Sequence, residues 1–164
     1  MFNLAVSHTG SPAITVYPFN NGLKYTNPIP LPLGNGRAVT FDITGHVFVA
    51  HDMEPYLSGH LFNGGFGNII LTTTQQLTPS INGIATHENF LAIAYSLSPY
   101  IALYTYDSLA GLSTKASDPA TLPTGIGNGI ALSHVGYFVA IAHNTSPFVS
   151  VYPYTFSQIG RAHV

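Results

Sequence analysis

The sequence predicts an all-β chain made of repeated antiparallel four-stranded sheets, because three markers recur in step. The turn words GNG (34–36), ING (81–83) and GNG (127–129) return after 47 and 46 residues. The prolines Pro12, Pro55, Pro99 and Pro147 return after 43, 44 and 48. Each proline leads into an alternating aromatic run: ITVYPF, YLSGHLF, YIALYTY and FVSVYPY. A period of this size marks units that cannot bury an apolar face alone and must stack on a neighbour.

Within one unit the elements follow in order. After the Gly turn comes a first strand such as GIALS (129–133), then a turn centred on Gly136. A second strand, YFVAIAH, runs to a turn through Ser146-Pro147, and FVSVYPY forms the third. These runs are short, rich in β-branched and aromatic side chains, and bounded by Gly, Pro, Asn and Ser. The alternation in FVSVYPY suits a strand with one buried face. NIILTT (68–73) supplies a fourth strand in one unit, and TTTQQ (72–76) reads as exposed outer edge. In the next unit the corresponding region, around Leu112 to Leu122, is polar and proline-containing and shows no clear strand. No stretch has helical periodicity with capping signals.

A unit of about 46 residues and four antiparallel strands matches a β-propeller blade. The units resemble WD-like and lactonase-type (YVTN) propeller repeats. They are most similar to blades of the form NG-apolar-turn-G-apolar-AH-x-x-SP-aromatic that recur in bacteriophage and bacterial proteins. The resemblance spans almost the whole chain and implies a fold, not a reaction, since propellers carry many unrelated activities. Two departures stand out. The chain has no Trp, hence no WD dipeptide and no true WD repeat, and Met53-Glu54-Pro55 replaces the Ser-Pro of the other units.

The expected architecture is therefore a partial β-propeller, an open arc of two full blades between two partial ones. The segments are a blade part over 1–33, blades over 34–79 and 80–126, and a blade part over 127–158. On this reading the chain begins inside a second strand near Leu4 and ends after a third near Tyr154, short of most closed rings of roughly 4 to 8 blades. Residues 159–164, IGRAHV, resemble the translation of a common sequencing adapter and are expected to be a non-native tail, in which Arg161 and His163 carry no meaning. An open arc leaves unpaired edges and bare faces. Its expected partners are the remaining blades of a parent propeller, and without them it is expected to be poorly soluble or to self-associate.

Composition narrows the function classes. Only 6% of residues are charged, against about 25% in an ordinary soluble protein, so surface polarity rests on Ser, Thr, Asn and Gln. A net charge of −2 argues against nonspecific nucleic-acid binding, which needs a basic surface. An apolar content of 46%, with 10 Tyr and 10 Phe, argues against disorder. No cysteine is present to form disulfides or thiolate metal sites. MFNLAVSHTG lacks the basic and long apolar regions of a signal peptide, and no run approaches the ~18 apolar residues of a spanning helix. No membrane association is expected, and a virion is one compartment the phage resemblance suggests.

The most suggestive side chains form a column four residues before each proline: His8, His51, Tyr95 and His143. Each is expected to close a second strand near Asn35, Asn82 or Asn128 of the Gly turns, giving a polar ring on one face. These seven are the candidate ligand-binding residues. Imidazoles from successive blades could bind a metal or a carboxylate, but a residue that repeats with the blade more often bonds its own turn. Tyr95 also breaks a metal set, so neither a metal nor a cofactor is expected. Six carboxylates are scattered without recurrence, with Asp52 and Glu54 beside His51, and none forms a two-carboxylate hydrolytic pair. No G-x-S-x-G elbow occurs, and the Gly-Asn-Gly turns lack the following helix and Lys of a phosphate cradle. Tyr56, Tyr100 and Phe148, with Asn and Ser nearby, give the face an aromatic-and-amide character suited to carbohydrate or protein. The expected function is a noncatalytic structural or recognition module of a phage or phage-derived protein. A lactonase-like propeller enzyme is the alternative.

Overall fold

The computed structural model describes residues 3–11, 13–18, 34–62, 66–69, 77–107, 111–155 and 158–160. Pro12, the TTTQQ segment and residues 161–164 lie outside the described residues. Among the described residues there are thirteen strands in four antiparallel sheets and no helix. The first sheet pairs β1 (Asn3–Ser7) with β2 (Ile14–Pro18). The second runs β3 (Gly36–Phe41), β4 (His46–His51), β5 (Leu57–Phe62), β6 (Phe66–Ile69) in spatial order. The third runs β7 (Ile81–His87), β8 (Phe90–Tyr95), β9 (Ile101–Asp107), β10 (Gly111–Lys115). The fourth contains β11 (Gly127–Leu132), β12 (Phe138–His143) and β13 (Val149–Pro153). This is the expected all-β open arc, two four-stranded blades between two partial ones.

The fourth strand of the third sheet corrects the sequence reading. β10 starts at Gly111 and pairs Leu112 with Tyr106 and, after a bulge, Lys115 with Tyr104. Only five residues long, it lies ahead of the proline-containing stretch that obscured it.

Stacking explains why the second strands HVFVAH and FLAIAY read as near-continuous apolar runs. A strand's side chains alternate between faces, and in the inner blades both faces are covered. Val47 and Val49 pack with Ile14 and Val16 of the first sheet. Phe48 and Ala50 pack with Leu91, Ile93 and Tyr104 of the third. Phe90, Ala92 and Ala94, on the other face of β8, pack with Val139, Ile141 and Tyr152 of the fourth. Each of these interfaces is a separate apolar cluster, so the core is a series of layers between blades. Edge-to-face rings reinforce two of them, Phe48–Tyr106 and Phe90–Tyr154, both with centroids 4.9 Å apart. Such pairs contribute about 0.5–1.5 kcal/mol beyond burial.

Polar ties run between blades as well. Thr86 Oγ1 donates to the Phe41 carbonyl at 2.6 Å, joining inner strands β7 and β3. The Tyr106 hydroxyl lies 2.9 Å from Asp42 Oδ2 and 2.8 Å from the Glu88 carbonyl, spanning the hairpin ends of the second and third sheets. Asp42 itself caps its hairpin, accepting from the backbone of Thr44 and His46 at 2.8 Å each. Burial would raise its pKa, but bonds from the Thr44 hydroxyl, the His46 backbone and ring, and Tyr106 outweigh it and hold the carboxyl below its ordinary value.

At two inner-strand starts, Gly36 and Gly127, the backbone approaches the preceding blade so closely that a side chain is excluded, whereas Ile81 holds the equivalent place in the third sheet. The Gly36 N–H donates to the His8 carbonyl at 2.9 Å. A Cβ on Gly127 would sit 2.8 Å from the Tyr100 carbonyl oxygen. Gly127→Ala is expected to cost about 1–3 kcal/mol by overpacking, read as a lowered denaturation midpoint. Gly129→Ala, whose Cβ would meet nothing within 4 Å, is expected to be far milder. Equal effects at the two positions would contradict this packing.

Candidate functional site

The turn joining each second and third strand is built the same way four times. The column residue donates its N–H to the residue after the proline: His8 to Ala13, His51 to Tyr56, Tyr95 to Tyr100, His143 to Phe148, all at 2.8–2.9 Å. The residue after the proline donates back three positions, as Tyr56 does to Met53 and Phe148 to Thr145. The peptide bonds before Pro55, Pro99 and Pro147 are cis, placing a proline third in a four-residue turn. The next residue then takes a left-handed conformation, with φ of 66° at Ala13, 64° at Tyr56, 66° at Tyr100 and 69° at Phe148. The aromatics expected at a ligand face are therefore set by an unusual backbone, and they differ in fate. Tyr56 packs against the core between the second and third sheets, whereas Phe148 is 59% exposed.

The column residues bond within their own blades. His8 Nε2 shares a hydrogen bond with Thr15 Oγ1, and His143 Nε2 shares one with Ser150 Oγ, both at 3.0 Å. His51 Nδ1 donates to the Met53 carbonyl of its own turn at 2.8 Å, which leaves Nε2 as an acceptor. That Nε2 and the Oγ of Ser58, seven residues on as in the other two pairs, are both buried without a hydrogen-bond partner among the described residues. Tyr95 breaks the pattern consistently: the position seven residues on is Ala102. Its hydroxyl bonds Tyr104 instead, and burial first, then Tyr104, pushes its pKa up. Among the described residues no group of three or more His, Cys, Asp or Glu is placed to hold a metal.

The asparagines do not share one register. Each inner strand carries a bulge opposite the column, between Gly36 and Ala38, Ile81 and Gly83, and Gly127 and Gly129. The bulged residues are Arg37, Asn82 and Asn128. Asn35 lies two positions earlier, and the repeated GNG spelling concealed this because the following hairpins differ in length. They close at Phe41–Val47, His87–Phe90 and Leu132–Val139. Asn82 Nδ2 lies 2.8 Å from both Ser96 Oγ and the Gly127 carbonyl, tying the third blade to the fourth. Asn128 is exposed.

Asn35 instead clamps Asp52, the residue after the column. Its N–H and Nδ2 donate to the two carboxylate oxygens at 2.7 and 2.8 Å, and its Oδ1 accepts from Gly10 N–H at 2.9 Å. Asn144 holds the corresponding place in the fourth sheet, accepting from Ile126 N–H at 3.0 Å. Bonds from the Asn35 backbone, then its side chain, hold the Asp52 carboxyl below its ordinary pKa, with Arg37 adding to the effect. The Arg37 guanidinium is 3.5 Å from Asp52.

These groups converge on a cleft of about 370 Å³ between the second and third blades. Arg37, His51 and Asp52 line one side, and Ser80, Asn82 and Ser96 the other. The structure thus brings together His51 and Asn82, with Asn35 behind Asp52. A smaller neighbouring cleft of about 240 Å³ holds Tyr95, Pro99, Tyr104 and Lys115. His8, His143 and Asn128 line neither. Arg37 is what the sequence reading missed, although one of only four basic residues in the chain, standing at a turn, was a visible break in the repeat.

No family model matches the chain, and no curated protein matches it. Its fold is that of solved structures of low identity. A chain of a nidogen–laminin complex superposes with a TM-score of 0.68 at 16% identity, covering 98% of this chain and 61% of that one. The computationally designed Ika4 protein gives 0.60 at 13%, covering 87% and 79%. A gluconolactonase from Xanthomonas campestris gives 0.61 at 15%, covering 94% and 56%. The chain thus spans about three fifths of the nidogen–laminin structure it matches.

Two measurements check this description. Burial lowers the pKa of His51, outweighing its bond to Met53 and the Asp52 charge. The unfolded chain therefore binds more protons below the ordinary value of 6.5, so stability present above that pH is lost as pH falls toward the folded value. His51→Gln is expected to flatten the decline in melting temperature between pH 7.5 and 5, and an unchanged slope would count against it. Phe148→Gly removes an exposed side chain from a left-handed residue and is expected to be neutral or to stabilise by about 1 kcal/mol. A clear loss in chemical denaturation would show that the ring packs. By fold the chain is an arc of β-propeller blades.

Proposed function

We propose that this chain is a noncatalytic recognition segment of a β-propeller, from a phage or phage-derived protein, and that the Arg37–Asn82 cleft binds an oligosaccharide. The observation that carries the reading is the division of labour on the turn face. The repeating imidazoles of His8 and His143 are bonded to their own blades. Arg37, which does not repeat, is about half exposed and stands over a cleft of hydroxyl, amide and carboxylate groups. Such a lining suits a hydroxyl-rich ligand held by several directed hydrogen bonds. The phage assignment rests on the blade resemblance, and a protein surface is the alternative partner.

Glycan-array binding by the 164-residue chain tests this. Binding that falls at least tenfold in Arg37→Ala and Asn82→Ala, and persists in Asn128→Ala, is the expected result. Binding indifferent to Arg37 and Asn82 would refute the cleft. Lactone hydrolysis above the buffer rate, lost in Asp52→Asn, would overturn the noncatalytic reading in favour of an enzyme.

A further inference from the structure

The repeat shows what a bonded pair looks like at the place where Arg37 stands. Arg37, Asn82 and Asn128 are the bulged residues of their inner strands, and Asp52, Ser96 and Asn144 are the residues that follow the column. In the third sheet these two positions bond each other directly, with Asn82 Nδ2 donating to Ser96 Oγ at 2.8 Å. In the second sheet they do not. Arg37 Nη2 comes no closer than 3.5 Å to Asp52 Oδ2, longer than the ~2.7–2.9 Å of a charge-assisted bond. Both Asp52 oxygens are taken by Asn35 instead, at 2.7 and 2.8 Å. The Arg37 side chain, 55% exposed, has no other hydrogen bond or ion pair among the described residues. The Asp52 charge is therefore met at bonding distance, whereas that of Arg37 is not.

We infer that the cleft takes an acidic oligosaccharide whose carboxylate is held by the unused part of the Arg37 fork, an inference that rests on the oligosaccharide reading of the cleft. A guanidinium presents five donors in a planar fork matched to a carboxylate, and one long contact leaves most of them to a ligand. Asp52 does not occupy that fork, and among the described residues it is the one acidic side chain lining the cleft. The opposite wall supplies what a sugar ring needs. Ser96 Oγ accepts from Asn82, which leaves its own proton to donate to a sugar oxygen. Asn82 spends both Nδ2 hydrogens, on Ser96 and on the Gly127 carbonyl, which leaves Oδ1 to accept from a sugar hydroxyl. A carboxylate beside hydroxyls that both donate and accept is the chemistry of a sugar acid. Uronic acids and sialic-type acids share it.

An array of neutral, uronate-bearing and sialic-type glycans, with each acid printed also as its methyl ester and poly-glutamate as a further spot, tests this on the full chain. One acid is expected to bind about tenfold or more tighter than its own ester, and which acid does so identifies the source of the carboxylate. That preference is expected to weaken at least threefold between about 50 and about 500 mM NaCl, where screening acts on the charge and not on the sugar hydroxyls. In Arg37→Gln it is expected to shrink to about twofold or less. The salt series on the wild type decides the matter should that variant fail to fold. Equal binding of acid and ester, or binding confined to neutral glycans, would overturn the acidic class and leave the oligosaccharide reading standing. Poly-glutamate bound as tightly as either acid would overturn it in favour of an acidic protein segment. Binding to no glycan at all would overturn both the inference and the reading beneath it.

Discussion

The fold depends on covering the second strand of each inner sheet on both faces at once. FLAIAY shows the constraint most plainly: Leu91 and Ile93 point to the preceding blade and Phe90, Ala92 and Ala94 to the following one. Neither set can be buried by a single sheet. Most backbone bonds of each blade lie within its own antiparallel pairing, so what joins one blade to the next is chiefly apolar contact, with a few hydrogen bonds such as Gly36 to His8, Thr86 to Phe41 and Tyr106 to Asp42. Stability in such a stack behaves as a sum of units and nearest-neighbour interfaces. The glycines at the starts of inner strands belong to the same constraint, since they let a backbone approach the turn of the blade before it.

That stacking also decides where chemistry can sit. Strand ends are the places where side chains escape the layers, and the structure uses most of them to finish its own turns. Of the column histidines, His51 bonds its own turn through Nδ1, and His8 and His143 bond the third strand of their own blade. The proposed cleft lies where one blade departs from the rest, at Arg37 and Asp52, beside groups contributed by the next blade.

Much of the architecture was legible in the sequence because the repeat is strict where packing is strict. The proline turns, the alternating third strands and the apolar second strands recur since every interior interface needs them. The inner-strand asparagines were misread for a physical reason. Hairpins at the opposite end of the blade face solvent and vary in length, so a count from one Gly turn to the next does not preserve strand register. Asn35 therefore looks equivalent to Asn82 and is not. The strand Gly111–Lys115 was hidden because an outer strand has one neighbour and needs little hydrophobic pattern. The pairing of His8 with Thr15 and His143 with Ser150 was readable as a seven-residue offset, and its loss where Tyr95 meets Ala102 was the clue to its structural meaning.

Amide hydrogen exchange in native conditions, resolved strand by strand under conditions where the chain is monomeric, tests the stacking account most directly. Protection is expected to be greatest in β8 and its partner β9, covered on both sides, and to fall toward β1 at one end and β13 at the other. Uniform protection across all four sheets, or protection greatest in an end sheet, would contradict the claim that contact between blades holds the chain together.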